Sequence, residues 1–292
     1  MLKASRKNIC IFIAPYMIIF TLFTVLPVVV SIGFSFTNFN MIQLPKFVGF
    51  ANYIRLFVND DLFFTALQNT LFFAVITGPV GYILCFTFAW FINQLPVRLR
   101  AFLTLLFYAP SIAGSSFMIW LLAFSEDSYG FINAFLLNYG IIDKPILWLT
   151  DVNHMKTVAI IVVLWQSLGA SFLAFIAGLQ NVDKSLYEAG MMDGIKNRWQ
   201  ELYYITLPVM RPQLMFGAVM SITGSFGIGS VLTGLFGNPS TGYETYTIVH
   251  HLEDYGGTRF MMGYASAIAT ILFLIMIGSN KLIQRLLRRI GT

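Results

Sequence analysis

The sequence predicts an all-α integral membrane protein with six transmembrane helices and both termini on the cytoplasmic side. Three observations carry that prediction. Of 292 residues, 57% are hydrophobic and only 11% charged, against about 25% charged in a typical soluble domain. The apolar residues gather in six long runs, each near the ~20 residues that one helical crossing takes. The basic residues sit in alternate links between the runs, as the positive-inside rule requires. Residues 1–292 read as a single transmembrane domain.

The first run, about 9–36, follows Lys3, Arg6 and Lys7. It is longer than the core of a signal peptide and lacks a small-residue cleavage site, so it reads as an uncleaved first helix. Residues 38–68 mix Lys46, Arg55, Asp60 and Asp61 with aromatics, as expected of an outer loop with an interfacial amphipathic segment. Further runs cover about 69–93, 101–124, 157–180, 213–236 and 262–284. Short links follow the second and fourth runs, and longer ones the first, third and fifth. With the N-terminus inside, only Lys46, Arg55, Lys144, Lys156 and Arg259 of the 18 basic residues lie outside. The acids invert the pattern: Asp183, Glu188, Asp193 and Glu201 are inside and the rest outside.

The polar link at 181–212 is the most structured of these. Asp183 can cap a first short helix, and Gly194 stands where a helix end needs positive φ. Asn197 followed by Gln200 has the spacing of a capping box for a second short helix. Pro208 and Pro212, which donate no backbone N–H, are expected to stop it. Such an elbow suits a docking surface; an ordinary basic cytoplasmic loop is the plainer alternative.

Composition also excludes. Cys10 and Cys85 fall in apolar runs, so no disulfide framework or zinc site is indicated. The net charge of +5 is dispersed rather than gathered in a nucleic-acid patch. No Asp, Glu, Lys or Arg lies deep in a run, which disfavours an ion-coupled carrier, since such machines keep ionisable groups at depth. The chain holds no G-x-x-x-x-G-K-[ST] phosphate loop. Uphill transport would therefore need a separate ATPase, with the elbow as its handle. A membrane enzyme would need paired carboxylates or histidines at the interface. His250 and His251 stand beside Glu253 and Asp254, but neighbours on a helix diverge by about 100°, poor geometry for a metal.

In the elbow, Glu188-Ala189, Asp193-Gly194 and, after a gap, Ile205-x-Leu207-Pro208 resemble the EAA loop of permease subunits of binding-protein-dependent ABC importers. Gly190 stands where the family usually has Ala, and Gly costs a helix roughly 0.5–1 kcal/mol relative to Ala, which should loosen the first short helix. FVGFANYIRLF at 47–57, followed by Asn69-Thr70, is similar to the entry to the second span of carbohydrate-type permeases. MGYASAIATILF at 262–273 is similar to the start of their last span. The resemblance covers nearly the whole chain.

It implies the type I importer permease fold in a bacterial cytoplasmic membrane, and the first of two homologous permease subunits. Two cytoplasmic ABC ATPases would bind ATP and Mg²⁺, this chain holding no cofactor, and an extracellular solute-binding protein would deliver a sugar, an oligosaccharide by family resemblance. Coupling would run through Glu188, Ala189, Gly190, Asp193, Gly194, Ile205, Leu207 and Pro208. Carried over residue by residue, the sugar site falls at Val163, Gln166, Ser167, Ala170, Met220, Gly224 and Gly227. Mid-span hydroxyls add Ser221, Thr223 and Ser225, although Ser, Thr and Gly also serve helix–helix contact. Several positions lack the Asn and Tyr such a site uses, and Ile228-Gly229 replaces a usual Phe-Asp pair. Trp120, Trp148 and Trp165 could stack on sugar rings, yet membrane-interface or packing roles fit them better. A glycerol phosphodiester or polyol is the alternative cargo; a phosphate would favour basic residues near the path, and none are evident.

Overall fold

The computed structural model describes residues 6–287, with side chains from Cys10 to Leu286. Lys3, Arg288 and Arg289, which the orientation argument uses, lie outside the described residues. Among the described residues there is no strand, only an isolated bridge between Thr37 and Phe47. The chain forms two compact units, 1–64 with 251–274 and 65–250 with 275–292.

In the first unit, α1 (Cys10–Phe34) is 25 residues long and its apolar surface is unburied. A π-helical turn, Thr21–Val25, stands two residues before Pro27. Proline crowds the carbonyl one turn back and donates no N–H; the wider turn takes up both effects, so the helix continues. Helix α2 (Ala51–Val58) is amphipathic, with Leu56 buried and Ile54, Phe57 and Val58 exposed. Asn52 ties it to the end of α1 by donating to the Ser35 and Thr37 carbonyls, both at 2.8 Å. The unit also buries a polar cluster. The Tyr264 hydroxyl donates to Asp60 Oδ2 at 2.6 Å, His251 Nε2 lies 3.0 Å from the same oxygen, and the Arg55 guanidinium sits 4.5 Å over the Tyr264 ring.

The second unit takes up α3 (Asp61–Asn93) from Thr65 onward. Then come α4 (Val97–Ile112), α5 (Met118–Ala123), α6 (Phe131–Asn138), α7 (Val152–Gln166) and α8 (Ala170–Gln180). The elbow follows as α9 (Lys184–Met192) and α10 (Arg198–Val209), then α11 (Arg211–Phe226) and α12 (Gly229–Phe236). Helices α13 (Ile248–Glu253) and α14 (Met262–Leu287) complete the chain.

Helices α1, α3 and α14 are long and apolar enough to cross a membrane, and up to five crossings result if the bent pairs α7–α8 and α10–α11 each count once. The run at 101–124, expected as one crossing, is instead α4 and α5 separated by a turn. Ser116 stabilises that turn by donating its hydroxyl to the Pro110 carbonyl at 2.8 Å. The run at 157–180 is broken at Ser167–Gly169 with a 40° bend. The run at 213–236 is broken at Gly227–Ile228. Hydropathy does not register these breaks because the residues that make them are small rather than charged.

The core of this unit is where α3, α8 and α11 meet. Cys85, Ala89, Phe172, Phe175 and Met210 are buried together. Small residues allow the close approach of α8 and α11: a Cβ on Gly217 would lie 2.3 Å from Phe175 Cζ, and one on Gly178 would lie 2.9 Å from Gln213 Cγ. The Ser171 hydroxyl donates to the Gly217 carbonyl at 3.1 Å across the same contact.

Candidate functional site: an elbow and a cavity

In the elbow, Asp183 accepts the Ser185 N–H at 3.0 Å and caps α9. That hydrogen bond holds the exposed Asp183 carboxyl below its usual range. Gly194 has φ +92° at the turn after α9, and the Ile195 N–H reaches back to the Gly190 carbonyl at 2.9 Å. Asn197 accepts the Gln200 N–H at 2.8 Å, while the Gln200 amide oxygen accepts the Lys196 N–H, one residue earlier than in a capping box.

One expectation is corrected. Pro208 does not stop the second helix; a π turn at Leu202–Thr206 lies two residues before it, as with Pro27, and helix continues to Val209. The stop falls at Met210, where the chain turns by 81° into α11. Gly190 is closely packed: a Cβ there would lie 2.7 Å from Ile205 Cδ1 and 3.0 Å from Ile195 Cδ1, so the two terminal methyls would have to shift to admit one. The Tyr187 and Thr206 hydroxyls, 2.9 Å apart, join the same two helices. Ile205 is buried in the core while Leu207 is half-buried. Glu188, Ala189, Asp193 and Pro208 are exposed, and so are Leu186, Met191 and Met192. One face of the elbow thus packs on the transmembrane core, and the other exposes apolar side chains with charges of both signs.

The second feature is a cavity of about 270 Å³ among α3, α7, α8, α11 and α12. The structure brings Val163, Gln166, Ser167, Ala170, Met220, Ser221, Gly224, Ser225 and Gly227 together around it. Thr223 is not among its lining residues, nor are Trp120 and Trp165, which pack edge-on at 5.6 Å; Trp148 donates to Asn133 at 2.9 Å. Sequence reasoning missed the contribution of α3, through Thr77 and Gly81. The signal was present as Thr77-Gly78-Pro79-x-Gly81, small residues in a run of large ones. Both helix breaks, Ser167–Gly169 and Gly227–Ile228, open onto this cavity. Non-helical backbone is tolerated at membrane depth where it is buried in protein or lines a cavity.

The lining carries no charge and is mostly apolar, with Val163, Ala170, Met220, Ile228 and Val231 beside a few hydroxyls and the Gln166 amide. Gln166 Nε2 donates to Ser116 at 2.7 Å. Ser167 and Ser225 donate to the carbonyls of Leu164 and Ile222 on their own helices, which leaves their oxygens as acceptors. His250 and His251 are each used separately. The Thr247 N–H donates to His250 Nδ1 at 3.0 Å, so Nε2 carries the proton toward Thr233 Oγ1, also at 3.0 Å. His251 faces Asp60.

Residues 94–291 match the family of binding-protein-dependent transport system inner membrane components. The chain belongs to that family. It is 33% identical over 271 residues to the probable ABC transporter permease protein YesP of Bacillus subtilis (strain 168), covering 91% of this chain and 85% of that one. It is 30% identical over 270 residues to the lactose transport system permease protein LacF of Rhizobium radiobacter, covering 91% and 88%. Its fold is shared with a chain of the bacterial alginate ABC transporter solved with an alginate pentasaccharide-bound periplasmic protein. There the TM-score is 0.75 at 22% identity, over 96% of this chain and 94% of that one. The family member described here is a multi-pass inner-membrane component with the type I importer permease fold.

Proposed function

We propose that this permease is one of two homologous transmembrane subunits of an ATP-driven sugar importer, with an oligosaccharide as cargo. Six crossings place both termini in the cytoplasm: α1, α3, α4 with α5, α7 with α8, α11 with α12, and α14. The cavity is this subunit's half of the path. What carries the reading is that nine sequence-selected residues and two helix breaks converge on one uncharged cavity whose apolar lining is interrupted by hydroxyls, an amide and open backbone. Those are the groups that exchange hydrogen bonds with sugar hydroxyls. The lactose permease among the relatives and the alginate transporter with the same fold support a sugar as cargo, and the periplasmic protein bound in the latter supports an external binding protein as partner.

The elbow is the coupling element. An ATPase that grips Glu188 to Gly194 would move α9 and α10 together, because Gly190–Ile205 packing and the Tyr187–Thr206 hydrogen bond tie them to each other across the Gly194 turn. Ile205 then passes the movement to the core that holds α8 and α11, whose breaks border the cavity. ATP and Mg²⁺ belong to the two ATPase subunits.

The test is ATPase activity and sugar uptake of the assembled complex in lipid, with and without its binding protein. Glu188→Lys and Gly194→Asp should abolish binding-protein-stimulated ATPase and uptake while assembly persists. Unchanged stimulation in both variants would overturn the coupling role of the elbow. Uptake without ATP hydrolysis would overturn the importer reading itself.

A further inference from the structure

The cavity of about 550 Å³ between the elbow and the α3–α4 link takes no part in the mechanism above. Its cations are Arg100, Lys184 and Arg198, and its one acid is Glu201. Glu201 is already paired with Arg198 at 3.0 Å. Arg100 spends one N–H on the Asn93 amide oxygen at 3.3 Å, and Lys184 has no ion-pair partner among the described residues. The cavity therefore holds two cations without counter-charge. Gln94 and Gln180 add amide groups to the polar side.

The lining also has an apolar part, Trp90, Val97, Leu179 and Val182, and Trp90 lies 5.1 Å from Trp199. The cavity sits where α3 and α8 end and α4 begins. In the proposed orientation this is the cytoplasmic headgroup level, where a tryptophan pair is at home. A charge excess beside apolar lining at that level suits an amphiphile with an anionic head. A soluble anion would leave the apolar lining unused.

We infer that this cavity is a binding site for the phosphate-bearing headgroup of an anionic phospholipid, held by Arg100 and Lys184 beneath the coupling elbow. Basic pockets between transmembrane helices on the cytoplasmic side take such headgroups. Because Tyr187, Arg198 and Thr206 of the elbow line the same cavity, an occupied site braces α9 and α10 against α3 and α4. The inference rests on the proposed orientation but not on the identity of the cargo.

The test is lipid retention by the whole purified complex, read by native mass spectrometry. Phosphatidylglycerol, phosphatidylcholine and inorganic phosphate are titrated against wild type, against the double variant Arg100→Gln/Lys184→Gln, and against Arg100→Lys/Lys184→Arg. Wild type should retain phosphatidylglycerol over phosphatidylcholine, and millimolar phosphate should not displace it. The glutamine pair should bind it roughly thirtyfold more weakly, two surface cations being lost. The charge-conserving pair should bind nearly as wild type, which separates loss of charge from loss of fold. Equal retention by wild type and the glutamine pair would overturn the proposal. Displacement by inorganic phosphate would make this a soluble-anion site instead. Each of these outcomes is independent of whether the complex transports sugar.

Discussion

Gly217 is a position in the core between α8 and α11 where one added carbon has a calculable effect. A Cβ there would lie 2.3 Å from Phe175 Cζ and 2.5 Å from Cε1. Carbon atoms in contact settle at about 3.5–4.0 Å, so ring and helix must part by roughly 1 Å. Phe175 cannot simply rotate away. It is fully buried, with Tyr82 and Phe86 packed edge-on against it at 5.5 and 5.6 Å. Overpacking a fixed core of this kind costs about 1–3 kcal/mol, partly offset by the ~0.5–1 kcal/mol that Ala gains over Gly in a helix. A net loss of about 1–2 kcal/mol corresponds to a fall of roughly 2–8 °C in apparent Tm at this size. Thermal unfolding of the complex in lipid nanodiscs would measure it. Gly224→Ala, on the same helix but with open space at its Cβ, is the control and should leave Tm unchanged or slightly raised. Gly217→Ala combined with Phe175→Leu should recover part of the loss. A Gly217→Ala complex as stable as wild type would refute the claim that α8 and α11 are held by this contact.

Three further outcomes are expected. Gly224 lines the cavity and has open space at its Cβ, so Gly224→Trp should obstruct the cavity and bring uptake to background while the complex still assembles; normal uptake would remove the cavity from the path. Tyr187→Phe deletes the hydroxyl contact to Thr206, worth about 0.5–1.5 kcal/mol, and should weaken stimulation of the ATPase by the binding protein more than its basal rate. In the pH response, burial pushes His250 down to about 4, and it also pushes His251 down, with Asp60 acting in the opposite direction. The unfolded chain therefore binds more protons below about pH 6.5. Stability is full above that value and falls as pH drops toward 4. Unfolding temperatures between pH 8 and 5 should show that decline, and it should be shallower in His250→Gln; a flat wild-type profile would contradict the buried, neutral imidazole.

Much was legible from the chain alone, because a bilayer imposes strong rules on composition. Six apolar runs, the bias of Lys and Arg and the pattern from Glu188 to Pro208 point to the class, the family and the elbow. Local chemistry marked the caps at Asp183 and Asn197 and the turn at Gly194, since a cap needs only residues a few positions apart. The helix breaks inside the apolar runs were not legible. Ser167–Gly169 and Gly227–Ile228 are as apolar in sum as the helices around them, and a hydropathy window averages over them. Nor could the sequence say that Gly190 is closely packed, because its neighbour is Ile205, fifteen residues away and folded back onto it. The same limit hid Thr77 and Gly81. Periodicity assigns them to a helix, but which helices they face depends on how closely Gly178 and Gly217 let α8 and α11 approach. Composition and local spacing determine what a segment is. Only the packing of one segment on another decides which small residues make a joint, a contact or a cavity.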